Sequence, residues 1–151
     1  MDESSQLVVF TLHEQRYALR LAAVSRIVRV PEITMLPSAP EIVLGVVNVQ
    51  GTIIPVVDLR RRFGLAAREV ELTDHLIVAR TSTRSLALLV ARVMGVIDCP
   101  DSRVSAGNDI LSDTDYVAGV LKLDDGLVLI HDLDTFLSPV EDGALSLALA
   151  S

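Results

Sequence analysis

Apolar residues along this chain fall in short runs separated by turn residues, with no long uninterrupted stretch and no sustained helical period. Leu7 to Leu12 alternates loosely, His13-Glu14-Gln15-Arg16 is polar, and Tyr17-Ala18-Leu19 is apolar again. Two apolar runs flanking a polar turn predict a β-hairpin. Leu21-Ala22-Ala23 predicts one short helical turn before a strand over Val24 to Val30, in which Ser25, Arg26 and Arg29 interrupt the apolar positions. Pro31, Pro37 and Pro40 mark a loop, and Ser38-Ala39-Pro40-Glu41 carries the signals of a helix start.

The most informative run is Gly45 to Gly64. Val46, Val47 and Val49 lead into a Gln50-Gly51 turn, and Ile53, Ile54, Val56 and Val57 follow. Two β-branched runs around a glycine turn predict a second hairpin. The near-continuous apolar character of its second strand predicts cover on both faces. Pro55 has no amide hydrogen, which predicts an edge strand or a bulge. Asp58 stands where that strand ends and a short helical turn over Arg60-Arg61-Arg62 begins, with a carboxylate able to cap the freed amides.

Beyond a polar connector from Ala66 to Thr73, the pattern repeats. Leu7, Tyr17, Leu19, Val24 and Val28 match Leu76, Leu86, Leu88, Val93 and Ile97 at a constant offset of 69 residues. Gly45-Val46-Val47 matches Gly119-Val120-Leu121, and Val57-Asp58-Leu59 matches His131-Asp132-Leu133, at an offset of 74. Two matched frames in the same order predict two similar β-units, about residues 6–63 and 75–137, within one domain spanning 1–151. Many short strands with Gly/Pro turns predict an all-β barrel or sandwich, and closure into a barrel removes the exposed edges of so small a unit.

Ser138-Pro139-Val140-Glu141 has the layout of a capping box with proline at the first helical position. Gly143 weakens a helix, and Leu145, Leu147 and Leu149 alternate rather than keep helical spacing. The tail over 138–151 can therefore be a frayed helix, a docking strand or disordered. A loosely attached short helix is the reading preferred here.

Composition narrows the function. At 151 residues the chain can bury about 68–70% of its unfolded surface, so a core needs no disulfide or metal. The single cysteine, Cys99, cannot form an internal bridge, which fits a reducing compartment. Mean hydropathy is +0.48, yet the apolar runs are far shorter than the roughly 18 residues of a membrane span. The acidic start, Met1 to Gln6, is unlike a signal peptide, and a cytoplasmic location is expected. A net charge of −7 argues against nucleic acid, and 3% aromatic content with no Trp leaves little for base stacking.

Candidate chemistry is sparse. His13, His75 and His131 have no second ligand at metal spacing, and structural roles fit them better. Cys99 has no neighbouring cation to lower its pKa. Asp58 and Asp132 occupy matching positions of the repeat, where each caps the turn after its own strand. There is no phosphate-binding glycine loop, no nucleophile–base arrangement and no cofactor fingerprint, so neither an enzyme nor a cofactor is expected. What remains is surface for other proteins, which small barrels engage through strand edges and apolar grooves.

The run Gly45-Val46-Val47-Asn48-Val49, Gly51, Ile53-Ile54-Pro55-Val56-Val57-Asp58-Leu59-Arg60 and Phe63-Gly64 resembles the signature hairpin of the CheW family. The likeness extends to Leu7–Leu12, Tyr17, Val24-Ser25-Arg26-Ile27, Gly119-Val120-Leu121 and Ile130-His131-Asp132-Leu133, almost the whole chain. The resemblance implies two SH3-like five-stranded β-barrels packed together with short helical turns and a hydrophobic seam between them. It implies an adaptor that couples a chemoreceptor's cytoplasmic tip to the regulatory domain of a CheA-type histidine kinase, with no catalysis. The receptor-binding positions it implies are Leu21, Val24, Arg26, Ile27, Leu36, Gly45, Asn48 and Gln50. The family commonly carries Glu at the position of Arg26 and Arg at the position of Gln50, so this chain departs from the pattern at both. A kinase-binding regulator that does not engage receptors, and a small-molecule-binding barrel using His131 and Asp132, are the rival readings.

Overall fold

The computed structural model describes residues 4–12, 14–66, 68–100, 104–106, 117–123 and 126–150. His13 lies outside the described residues. Eleven strands are described: β1 (Ser4–Thr11), β2 (Arg16–Arg20), β3 (Val24–Arg29), β4 (Val43–Val49), β5 (Thr52–Val57), β6 (His75–Arg80), β7 (Ser85–Val90), β8 (Arg92–Pro100), β9 (Val104–Ala106), β10 (Val117–Leu123) and β11 (Gly126–His131). A 3-10 turn over Leu21–Ala23 links β2 to β3, and another spans Leu133–Thr135. Helix α1 (Leu59–Arg62) follows β5, and α2 (Pro139–Ala150) closes the chain.

The strands form two sheets, in the orders β8-β1-β2-β11-β10-β9 and β3-β6-β7-β5-β4. Each sheet draws on both halves of the sequence. Hairpin β1–β2 sits among the late strands, and hairpin β6–β7 sits among the early ones. This is the twin SH3-like barrel architecture, with β9 as a short sixth strand on one sheet.

The registers of the two sheets correspond. Raising the β3 numbers by 69 and lowering the β6 numbers by 69 turns Val24↔Ala79, Ile27↔Ile77 and Arg29↔His75 into Val93↔Phe10, Val96↔Val8 and Asp98↔Gln6, the pairing of β8 with β1. Raising Val43↔Val57 and Gly45↔Val56 by 74 gives Val117↔His131 and Gly119↔Ile130, with the irregularity at the same place.

The exchanged hairpins explain why their strands are apolar on both faces. In β1, Leu7 and Val9 enter one barrel core with Val128 and Ile130, while Val8 and Phe10 face a core between the sheets. In β6, Leu76 and Val78 enter the other barrel core with Val47 and Val56, while Ile77 and Ala79 join the same shared core. Burial of apolar side chains contributes about 1.5–3 kcal/mol each, and the shared core therefore binds the barrels into one body.

Two expectations are corrected. Strand β5 is not at an edge, because it pairs with β4 on one side and β7 on the other. Pro55 is tolerated because the parallel pairing to β7 involves Val56 and Val57, leaving the proline facing only Val46 of β4. Ser38 to Glu41 starts no helix: Ser38 takes φ 65°, and single-turn bonds from Ala39 N to Leu36 O and from Val43 N to Pro40 O bend the chain into β4.

The tail is also firmer than a loosely attached helix. Ser138 N donates to Glu141 Oε1 at 2.8 Å and Glu141 N donates to Ser138 Oγ at 3.1 Å, a complete capping box. Leu145 and Ala148 are buried, with Leu145 in the shared core beside Phe136.

Candidate protein-binding face

Strand β3 ends its sheet, so one side of it opens outward. Residues directly opposite one another on paired strands share a sheet face. Val24 lies opposite Ala79 and Ile27 opposite Ile77, and both partners are buried in the shared core. Val24 and Ile27 therefore line the mouth of the seam along β3. Leu21, Val24 and Leu36 are half-buried and pack on the shared core with Ala23 and Ala39, while Ile27 is 40% exposed. Arg26 is exposed on the same strand, opposite Val78.

The other expected positions have local duties. Thr34 and Val46 exchange backbone hydrogen bonds of 2.9 and 2.7 Å, laying the 30–42 loop directly on β4. A methyl at Gly45 would overlap the Thr34 carbonyl oxygen and stand 2.9 Å from Ile33 Cγ2, so only glycine allows that approach. Asn48 Oδ1 accepts the Gly51 N–H at 2.8 Å and fastens the β4–β5 turn, where Gln50 adopts φ 49°. Leu21, Val24 and Leu36 thus share one packed surface, whereas Asn48 and Gln50 belong to the hairpin tip. Among the described residues no hydrogen bond or ion pair joins Arg26 to Gln50.

Both aspartates cap their turns. The Asp58 carboxylate accepts from Arg61 N at 3.3 Å, and that of Asp132 accepts from Asp134 N at 3.1 Å. The arginines after Asp58 each reach a different segment. Arg60 donates to the carbonyls of Leu12 and Ala66, Arg61 pairs with Glu41, and Arg62 pairs with Glu141 of α2. Arg84, in the β6–β7 turn, donates to the Asp142 carboxylate at 2.7 Å and so ties α2 from the other side. Burial works to raise the Glu141 carboxyl, but the Ser138 N–H and the Arg62 guanidinium outweigh it and hold the group below its ordinary range.

His131 is buried in a stack of rings, with centroids 4.4 Å from Phe63, 5.1 Å from Tyr17 and 5.7 Å from Phe136. Burial pushes the Tyr17 phenol up, with nearby Arg60 pulling the other way. His131 also borders an open cleft of about 300 Å³ lined by Arg20, Ala23, Arg80, Asp132 and Asp134. Sequence reasoning missed Arg20 and Arg80, because only the fold brings the ends of β2 and β6 together. Among the described residues no group of three His, Cys, Asp or Glu side chains could hold a metal, and no helix is long and apolar enough to cross a membrane.

Two barrels sharing an apolar seam, with open strand edges and a loop-bordered mouth, define a protein-binding β module. A sequence model of the CheW-like domain matches residues 6–141, and the chain belongs to that family. It is 31% identical over 132 residues to the chemotaxis protein CheW of Rhizobium meliloti, covering 86% of this chain and 85% of that one. It is 28% identical over 135 residues to the chemotaxis protein CheW of Thermotoga maritima, covering 89% of each. The crystal structure of the scaffolding protein TtCheW from Thermoanaerobacter tengcongensis superposes with a TM-score of 0.83 at 30% identity, covering 93% of this chain and 96% of that one.

Proposed function

We propose that this protein is a non-catalytic cytoplasmic adaptor that couples chemoreceptors to a CheA-type histidine kinase in chemotaxis-like signalling. The observation that carries the reading is the CheW-like fold over residues 6–141 with an open seam mouth at Leu21, Val24, Ile27 and Leu36. The receptor's cytoplasmic helical tip lies in that mouth, Gly45 allows the loop beside it to seat, and Asn48 and Gln50 stand at the neighbouring turn. The kinase regulatory domain takes a separate surface. Holding both on one rigid body raises their effective concentration and fixes their geometry, so a receptor change can bias the kinase. The units 6–63 and 75–137 act as exchanged halves of one domain, a division supported by the matching registers of the two sheets.

The test is a pull-down with a receptor cytoplasmic fragment and a kinase regulatory domain, using wild type and Val24→Asp. Val24→Asp is expected to lose the receptor fragment, keep the kinase domain and unfold cooperatively. Undiminished receptor capture would remove this mouth from the mechanism. Capture of the kinase alone by wild type would favour a regulator that does not engage receptors.

A further inference from the structure

Helix α2 is apolar on the side it buries and apolar again on the side it exposes. Leu145 and Ala148 are buried, and the Glu141 and Asp142 carboxylates are taken up by Arg62 and Arg84. The outward side is formed by Val140, Gly143, Leu147 and Ala150, all exposed, with Val140 at 82% and Leu147 at 75%. A surface helix ordinarily carries polar or charged residues opposite its buried stripe. Residues 143–151 hold no charged side chain, and the Ser146 hydroxyl beside the outward stripe accepts from Arg84.

Apolar residues scattered singly on a surface need no explanation. These four are not scattered. They are spaced by three, four and three residues, the a/d seam of a helix that packs lengthwise on another. The set is also symmetric about Leu145, because position 140 mirrors 150 and 143 mirrors 147. A second α2 laid antiparallel therefore sets Leu147 on Gly143 and Val140 on Ala150, a larger residue on a smaller one each time. A Cβ added at Gly143 would meet nothing within 4 Å, so the space over that glycine is open to a leucine. Antiparallel alignment also places opposite ends of the two helix dipoles side by side, and no like charges meet along the seam. Only a second copy brings the same residues in reversed order.

From this self-matching stripe we infer that two copies of the chain associate through α2, as an antiparallel pair of helices with Leu147 of each copy seated over Gly143 of the other. Such an interface is isologous, and each pairing is made twice. Two twelve-residue helices touch over far less than the roughly 1,200 Å² of a standard stable complex, so the dimer is weak and exchanges readily. The contact uses none of the residues assigned to the receptor.

Sedimentation equilibrium of the full chain, from micromolar to millimolar concentration, is the test. Wild type is expected to dimerise in the upper part of that range. Added salt should strengthen the dimer, because each copy carries a net charge of −7 that repels the other. Gly143→Leu fills the hollow and should weaken the dimer about tenfold. Its melting temperature in dilute solution should hold or rise, since glycine is a poor helix former. Leu147→Ala removes the knob and should weaken the dimer by a similar factor. G143L/L147A moves the knob to 143 and the hollow to 147, and should return to within about threefold of wild type. Dimerisation that neither single variant alters would overturn the inference. So would a double variant no better than the singles, or a wild type that stays monomeric throughout. Phosphatidylcholine vesicles and the kinase regulatory domain form the last arms. Capture of either by a monomeric wild type, lost in Leu147→Ala, would assign the stripe to that partner instead.

Discussion

Arg62 of α1 and Glu141 of α2, 79 residues apart in sequence, are joined by a 2.5 Å contact between Nη2 and Oε2. Both side chains are largely withdrawn from water, at 13% and 26% exposure. Glu141 also closes the capping box of α2, so one carboxylate both starts the helix and anchors it. Its pKa is lowered on folding, so its contribution is complete above the ordinary glutamate value near 4.5 and disappears as pH falls through the lower folded value. Glu141→Gln, which retains an acceptor for the Ser138 N–H, should cost about 1 kcal/mol at neutral pH. The difference from wild type should vanish in acid. Thermal melts of both proteins across pH 2 to about 7 check this, and a gap that persists at the acid end would contradict it.

Leu145 is the apolar anchor of α2, fully buried against the shared core. Leu145→Ala should cost about 2–4 kcal/mol in denaturant unfolding, whereas Leu147→Ala, at a position 75% exposed, should cost under about 0.5 kcal/mol. Equal effects would mean that the helix packs differently.

The tail illustrates which parts of the structure were legible in the chain and which were not. Ser138, Pro139 and Glu141 form a local signature, and the capping box they predict is present. The attachment was misjudged because the helix is held by Leu145 with the small Ala148, and by Arg62 and Arg84 reaching from distant turns. A leucine every second residue obscured that. Likewise Leu7 to Leu12, which reads as loose alternation, is buried on both faces from Leu7 to Phe10, and an apolar strand carries no label for its neighbour. That β1, besides pairing with β2, takes the late strand β8 on its other side was therefore invisible. The candidate receptor-binding positions follow from the resemblance alone. Only the structure separates Val24 and Ile27, at the mouth of the shared core, from Gly45 and Asn48, whose local contacts already account for them.

Gly45→Ala tests the close approach of the 30–42 loop to β4. The new methyl would collide with backbone, which cannot rotate away as a side-chain tip can. A loss of about 1–3 kcal/mol is expected. Amide exchange should accelerate at Thr34 and Val46, whose mutual hydrogen bonds hold the loop down. A variant as stable as wild type, with unchanged protection at those amides, would show that the loop can lift at no cost.

Exchange of the hairpins has a sharper consequence for chain cleavage. A fragment of residues 1–66 contains β1 to β5, but β1 and β2 belong to one sheet and β3 to β5 to the other. Its β3 would lack β6, its β5 would lack β7, and its β1 would lack β8, leaving strand edges and apolar faces open. The fragment 68–151 is deprived in the reciprocal way. Neither should fold alone, although each covers one copy of the repeat. Mixed, the two can restore every interstrand pairing, because the cut falls in the connector before β6 rather than within a strand. Dispersed amide spectra should be absent from each fragment and appear on mixing, with a concentration-dependent melting temperature. A fragment that gives a folded spectrum by itself would mean that a half can close its own barrel. The exchanged arrangement would then be one of two accessible pairings.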